Sequence, residues 1–317
     1  MTDVATPALV NLPNNKVTRL ANVTCAYCGM EGRADNPLTD EHVIGRRFVP
    51  KGTLARGWNL IVRACTGCNN GKADLEDDIS AITLLPGLGV THTDAELAVL
   101  AERKARGSRS RRTKKSVSDS YEEKEIAGRF LQSADVRFNL VAPPQLDPER
   151  VRRLAYLHLQ GFLYLTTYDA DRRAGGFVPG ELGWLNEASQ QDWGNSLQRG
   201  FAEFTRAWLP RVEGVVADGF FKVAIRRDPS GAELWSFAFE WNKALRIVGL
   251  FGDLGRGQLH VDAIPPLTWQ RVDATHRMRR EISLDPADDI LFSLARPARH
   301  GFTNVTPIEL WWKKQGR

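Results

Sequence analysis

Cysteine is scarce in this chain of 317 residues: there are four, all between Cys25 and Cys68. A secreted scaffold held by disulfides spreads more cysteines through a shorter chain, so that class is excluded. Long apolar runs are missing as well. No stretch approaches the ~18 residues that a membrane span needs, so no membrane partner is expected. The opening MTDVATPALVNLPNN lacks a charged segment leading into an apolar one. No secretory signal is therefore expected, and the chain reads as cytoplasmic. Internal repeats are absent, and the only biased tract is a basic one.

The rest is ordinary for a globular protein, with 42% hydrophobic and 26% charged residues. A chain of this length predicts about two domains. The formal net charge of +5 favours a polyanionic partner, though only mildly.

Patterning places the elements. Residues 94–106 read as a short helix that Asp94 can cap, with Leu97, Leu100 and Ala101 on one face. From Arg103 to Lys115, eight of the thirteen residues are Lys or Arg. That tract has almost nothing to bury, so it is expected as a flexible basic segment or an exposed helix end. Residues 147–168 predict a helix with His158 on its apolar face as a core residue. Residues 187–208 predict a second, carrying Trp193, Leu197, Phe201, Phe204 and Trp208. Residues 215–227, 232–241 and 244–251 have strand character, the first two joined by the turn DPSG. The tryptophans are read as packing. His92, His260, His276 and His300 receive no role. The expected layout is a zinc-bearing unit over 1–92, a helix and basic linker over 93–144, and an α+β domain with helices and an antiparallel sheet over 145–317.

The cysteines form two pairs, CAYC at 25–28 and CTGC at 65–68, with 36 residues between them. Each CxxC puts two thiolates on one tight turn, half of the tetrahedron that zinc requires. Cys25, Cys28, Cys65 and Cys68 are thus expected to hold one structural Zn²⁺. Four thiolates leave no open position, so this ion should not be catalytic.

Between and just after the pairs run Glu41-His42, Asn59, Asn69 directly after the last cysteine, and Lys72 in a C-N-x-x-K pattern. With these motifs, residues 22–80 resemble the HNH, or ββα-metal, nuclease family, in the branch that carries a four-cysteine zinc. The resemblance implies a strand ending in the acidic-His pair, a second strand, and a helix bearing the last ligand. It implies a metal-dependent endonuclease acting on DNA; duplex, single strands and RNA all satisfy the same chemistry. It also implies that Asn59 hydrogen-bonds within the loop and orients the base. Proteins of this layout serve in bacterial restriction and phage defence.

The residues make chemical sense apart from that likeness. Phosphodiester hydrolysis needs a base for water and neutralisation of charge on the leaving oxygen. His42 can supply the base. Glu41 and Asn69 offer hard oxygens suited to Mg²⁺ or Mn²⁺. Asp40 is an alternative ligand, and one of Asp74, Glu76, Asp77 and Asp78 could join it if the group is not simply a solvated face. Arg46, Arg47, Lys51, Arg56 and Lys72 are the expected phosphate contacts. The competing reading is a zinc-knuckle module that binds nucleic acid without cutting it. Residues 145–317 match no motif and leave room for a protein partner.

Overall fold

The computed structural model describes residues 10, 11, 17–54, 58–86, 94–130, 134–271 and 277–292. Arg56, His92, His276, His300 and the residues after 292 lie outside them. The elements run β1 (Val10–Asn11), β2 (Thr18–Arg19), β3 (Leu38–His42), β4 (Leu60–Cys65), α1 (Thr66–Thr83), α2 (Ala95–Gly107), β5 (Glu122–Phe130), β6 (Ala134–Ala142), α3 (Pro148–Thr166), β7 (Glu181–Ser189), α4 (Ser196–Thr205), β8 (Leu209–Val216), β9 (Phe221–Arg227), β10 (Leu234–Trp241), β11 (Leu245–Gly252), α5 (Leu254–Asp262), β12 (Gln270–Arg271) and β13 (Arg277–Met278). The architecture is α+β. No described helix is long and apolar enough to cross a membrane.

β3 and β4 pair antiparallel, His42 opposite Ile61 and Leu38 opposite Cys65, and β2 adds on the far side of β4. The chain passes straight from β4 into α1. In the second half, β8, β9, β10 and β11 form an antiparallel sheet with β1 parallel at its edge. The expected DPSG turn joins β9 to β10. β5 and β6 form a separate hairpin that the sequence pattern did not announce.

The helix expected over 187–208 is shorter. It begins only at Ser196, because the Asn195 side chain accepts the Gln198 N–H and caps it there. Residues 181–189 before it are strand, and Gly194 lies so close to the Ser283 carbonyl that a Cβ would stand 2.5 Å from it. Asp94 and Asp147 cap α2 and α3 as their positions predict, each accepting two backbone N–H groups.

The basic tract differs more. Only its first part belongs to α2; the rest folds back on α1. Ser108 donates to Asp77, the Arg111 backbone N–H to Asp78, and the Arg111 guanidinium pairs with Asp74. From α3, Arg150 reaches Asp74 and Asp78 at 2.9 Å each. Two of the four acids at 74–78, Asp74 and Asp78, are therefore paired with arginines far along the chain, while Glu76 pairs with Lys72 and Asp77 accepts from Ser108.

One apolar cluster runs from Leu20, Phe48, Trp58 and Leu75 through α3 to Phe221, Phe239, Trp241 and Phe251. Trp58 stacks on Phe162 of α3, with ring centroids 6.1 Å apart. Asn242 donates to the Phe48 carbonyl and to the Thr83 hydroxyl. The two halves drawn from the sequence thus share a core. A ββα unit of some sixty residues has too little interior to cover Phe48 and Trp58 alone. α3 comes close because Gly161 has no side chain; a Cβ there would be 2.7 Å from Val43.

Candidate active site and metal centre

The two cysteine pairs meet at the start of α1. Cys25 and Cys28 sit on a tight turn in which the Gly29 N–H donates to the Cys25 carbonyl at 2.9 Å and the Cys25 N–H to the Met30 carbonyl at 2.8 Å. Gly29 closes this turn with φ +75°, a conformation that favours glycine. Cys65 ends β4 and Cys68 lies in the first turn of α1. No side chain of its own caps that helix; Asn36, from the loop before β3, accepts the Gly67 N–H instead.

The four Sγ atoms lie within 4.8 Å of one another, and Cys28 and Cys65 are 3.8 Å apart. Tetrahedral zinc with bonds of about 2.3 Å sets sulfurs about 3.8 Å apart, so the donor set fits the ion. Burial raises the Cys65 thiol, but hydrogen bonds from the Cys68 backbone and from the neighbouring thiols outweigh it and bring it to about 7. Burial pushes Cys28 and Cys68 up. A bound cation would reverse that, since thiolates are its ligands.

Some distance along β3, the strand end carries the second set. Thr39 and Glu41 face α1; Asp40 and His42 face the other way, as alternation requires. Asn69 donates to the Thr39 hydroxyl at 2.9 Å and to the Asp40 carbonyl at 3.4 Å, which ties α1 to the strand. Asn59 donates to the Ile44 carbonyl at 2.9 Å, and its own oxygen accepts the Leu60 N–H at 2.8 Å. It therefore spans the base of the loop that follows His42. His42 is half-buried. Burial lowers its pKa, the nearby Arg46, Lys72 and Arg19 lower it further, and Asp40 opposes them. These effects favour the neutral ring, the form that can accept a proton.

Lys72 is not where the phosphate-contact expectation put it. It is fully buried, with its ammonium 2.8 Å from Glu41, paired also with Glu76, and donating to the His42 carbonyl at 3.1 Å. It cannot touch a substrate. Glu76 accepts the Gly45 N–H at 3.0 Å, and behind it stands His158 at 3.6 Å. Burial raises Glu41 against the pull of Lys72. Burial opposes the charge on Glu76 and Lys72 too, but there the partners prevail: Glu76 stays below and Lys72 above its usual range. Asp40 is not a free ligand either, being paired with Arg19.

The fit for a catalytic divalent cation rests on what these bonds leave over. Lys72 pairs with Glu41 Oε1 and Asn69 donates through its amide nitrogen, and among the described residues no hydrogen bond is made to Glu41 Oε2 or Asn69 Oδ1. With Glu76, the triad carries one net negative charge. Hard oxygens are the donors that Mg²⁺ or Mn²⁺ accepts and the ammonium on Glu41 opposes a second cation, while among the described residues the gathered metal-ligating cluster is that of the four cysteines.

Arg46, Arg47 and Lys51 are exposed in the loop after His42, and none pairs with an acid among the described residues. Lys104, in the basic tract, donates to the Arg47 carbonyl, so α2 lies against that loop. Burial lowers Lys104 to about 8. Beyond it Arg109, Lys114 and Lys115 are exposed.

Sequence reasoning missed Glu76 as a partner of Lys72. The i, i+4 spacing of the pair was the available signal. Compared with known proteins, the chain matches no family model, no curated protein and no solved structure.

Proposed function

We propose that this chain is a metal-dependent endonuclease of the HNH type that hydrolyses phosphodiester bonds, with DNA as its substrate. One observation carries the reading. A strand–strand–helix unit beside a four-cysteine cluster carries Glu41 and His42 on the two faces of one strand end, with Asn69 tied to that strand through Thr39, Asn59 tied to the loop after His42, and exposed arginines in that loop.

In this reading His42 accepts the proton of the attacking water. Its depressed pKa keeps it in the accepting form. Asn59 fixes the loop behind it. Glu41 and Asn69 hold Mg²⁺ or Mn²⁺, which neutralises charge on the phosphate and the leaving oxygen when bound. Arg46, Arg47 and Lys51 hold the backbone phosphates. Zinc at the cysteines fixes the start of α1, and with it Asn69. A defensive role in a bacterium is an analogy of layout.

A second reading is favoured by the ion pair on Glu41. If Lys72 occupies that carboxylate permanently, the unit binds nucleic acid through zinc-braced basic loops without cutting it.

Plasmid DNA with Mn²⁺, with and without chelator, separates the two. We expect wild type to cut and His42→Ala to lose roughly 10²–10⁴-fold, the usual worth of a positioned base, while keeping zinc and DNA binding. Glu41→Ala should lose cleavage but recover in part at high Mn²⁺, which His42→Ala should not. A wild type that cuts neither DNA nor RNA puts the binding module first.

A further inference from the structure

We propose that Glu76 is a positioning residue for His42, holding the turn from His42 to Gly45 in place from inside the core. The inference rests on the reading of His42 as a base.

Each end of that turn is tied to α1 through one buried ion triad. At its start the His42 carbonyl accepts from Lys72 at 3.1 Å. At its end the Gly45 N–H donates to Glu76 at 3.0 Å. Between them the Val43 N–H donates to the Leu60 carbonyl at 2.8 Å, and the Ile44 carbonyl accepts from Asn59. These four backbone groups of the turn are all engaged.

Lys72 has three ammonium protons and three acceptors: Glu41, Glu76 and the His42 carbonyl. A buried ammonium with every donor used has one orientation available to it. Glu76 sits so close to the turn that a Cβ on Gly45 would lie 2.0 Å from its Oε2. This is the close approach for which a glycine is needed.

Behind Glu76 the packing is aromatic. His158 is fully buried, with Phe48, Phe221, Phe239 and Trp241 around it at centroid distances of 5.1 to 6.0 Å.

Burying two acids and a lysine is a weak route to stability, since apolar residues of similar volume do as well. What charged groups supply here is direction, along named hydrogen bonds to the two ends of the turn that carries the base. Supporting groups of this kind are commonly worth 10- to 100-fold in activity.

The test uses the full chain with zinc bound, plasmid DNA and Mn²⁺. Glu76→Ala, Glu76→Gln and Gly45→Ala are compared by kcat, by KM and by hydrogen exchange at the residue 45 amide. Glu76→Ala should lower kcat by about 10–100-fold with KM little changed, and should speed exchange at Gly45. Glu76→Gln should regain most of kcat, because its amide oxygen still accepts from Gly45. Gly45→Ala attacks the same contact from the loop side and should repeat the kcat loss if Glu76→Ala fails to fold. A Glu76→Ala protein that cuts like wild type, with Gly45 still protected, overturns the brace and leaves the base standing. Equal losses in Ala and Gln variants also overturn it, since charge would then be the requirement. If wild type cuts nothing while Glu76→Ala speeds Gly45 exchange, the brace stands as structure, and the base reading and its positioning role fall together.

Discussion

His158 shows how one side chain can set a pH limit on the fold. It is fully buried among aromatic rings, with Glu76 3.6 Å away and Lys72 beyond it. Burial lowers its pKa from 6.5 to about 4; Lys72 adds to that and Glu76 opposes it. The folded protein therefore binds its proton less readily than the unfolded chain does. Stability is complete above pH 6.5 and falls as the pH drops toward 4, by up to about 3 kcal/mol. Glu76, whose pKa is lowered, contributes its own loss only below its unfolded value of 4.5. Urea unfolding between pH 7 and 4.5 should show the decline, and His158→Phe should flatten it. A decline of the same size in His158→Phe would assign it elsewhere. At the residue scale the cysteine pairs were the legible part, since their four Sγ atoms meet as the spacing predicts. Glu41, His42, Asn59 and Asn69 stood out because chemistry-bearing types recur at fixed spacing around the cysteines. Lys72 stood out too, but its neighbours did not. The partner that buries it, Glu76, lies in an acidic run that looks solvated until Arg111 and Arg150 are brought in from 37 and 76 positions past Asp74.

Among the elements, α2 and the tract after it join two basic segments that are far apart in sequence. Lys104 meets the loop of Arg46 and Arg47, while Arg111 is spent on Asp74. Arginines in the tract should therefore divide by role. Replacing Arg109, Lys114 and Lys115 together with Ala should lower the slope of log affinity against log salt for DNA by about one per lost contact. Arg111→Ala should instead lower thermal stability and leave the slope nearly unchanged. Fluorescence anisotropy across a salt series reads the first, and calorimetry the second. An unchanged slope in the triple variant would make the tract a brace for α1 and nothing more. Composition could not separate these arginines, because a basic run has the same appearance whether it faces solvent or an acidic helix. Helices with strong caps and a single apolar face, α2 and α3, were readable to within a residue or two. The 187–208 stretch was not: its aromatics fit helical spacing, and the break at Gly194 and Asn195 depends on a carbonyl contributed by Ser283.

For the whole molecule, the shared interior matters more than the boundaries drawn on the sequence. α3 is the common wall, reaching Val43 on one side through Gly161 and the five-stranded sheet on the other. No motif reports such sharing, because it arises from rings such as Phe48, Trp58 and Trp241 that are separated by most of the chain. Asn242, in the turn after β10, is held by the Phe48 carbonyl and by Thr83 at the end of α1. The tie runs through α1 itself, whose first turn carries Cys68.

That continuity turns a chelator into a solvent for the far sheet. Stripping the metal would release the start of α1, a helix that also builds the common interior through Leu75 and Ile79. Loss should therefore travel to strands that contain no cysteine at all. Heating with and without a strong zinc chelator should give one transition in each case, the chelated one lower, with tryptophan fluorescence and far-ultraviolet circular dichroism moving together. Two separate steps, with the sheet melting at its old temperature, would mean that the halves keep separate accounts after all. If there is one step, a cell that withholds zinc would lose the whole protein at once rather than a disarmed remainder.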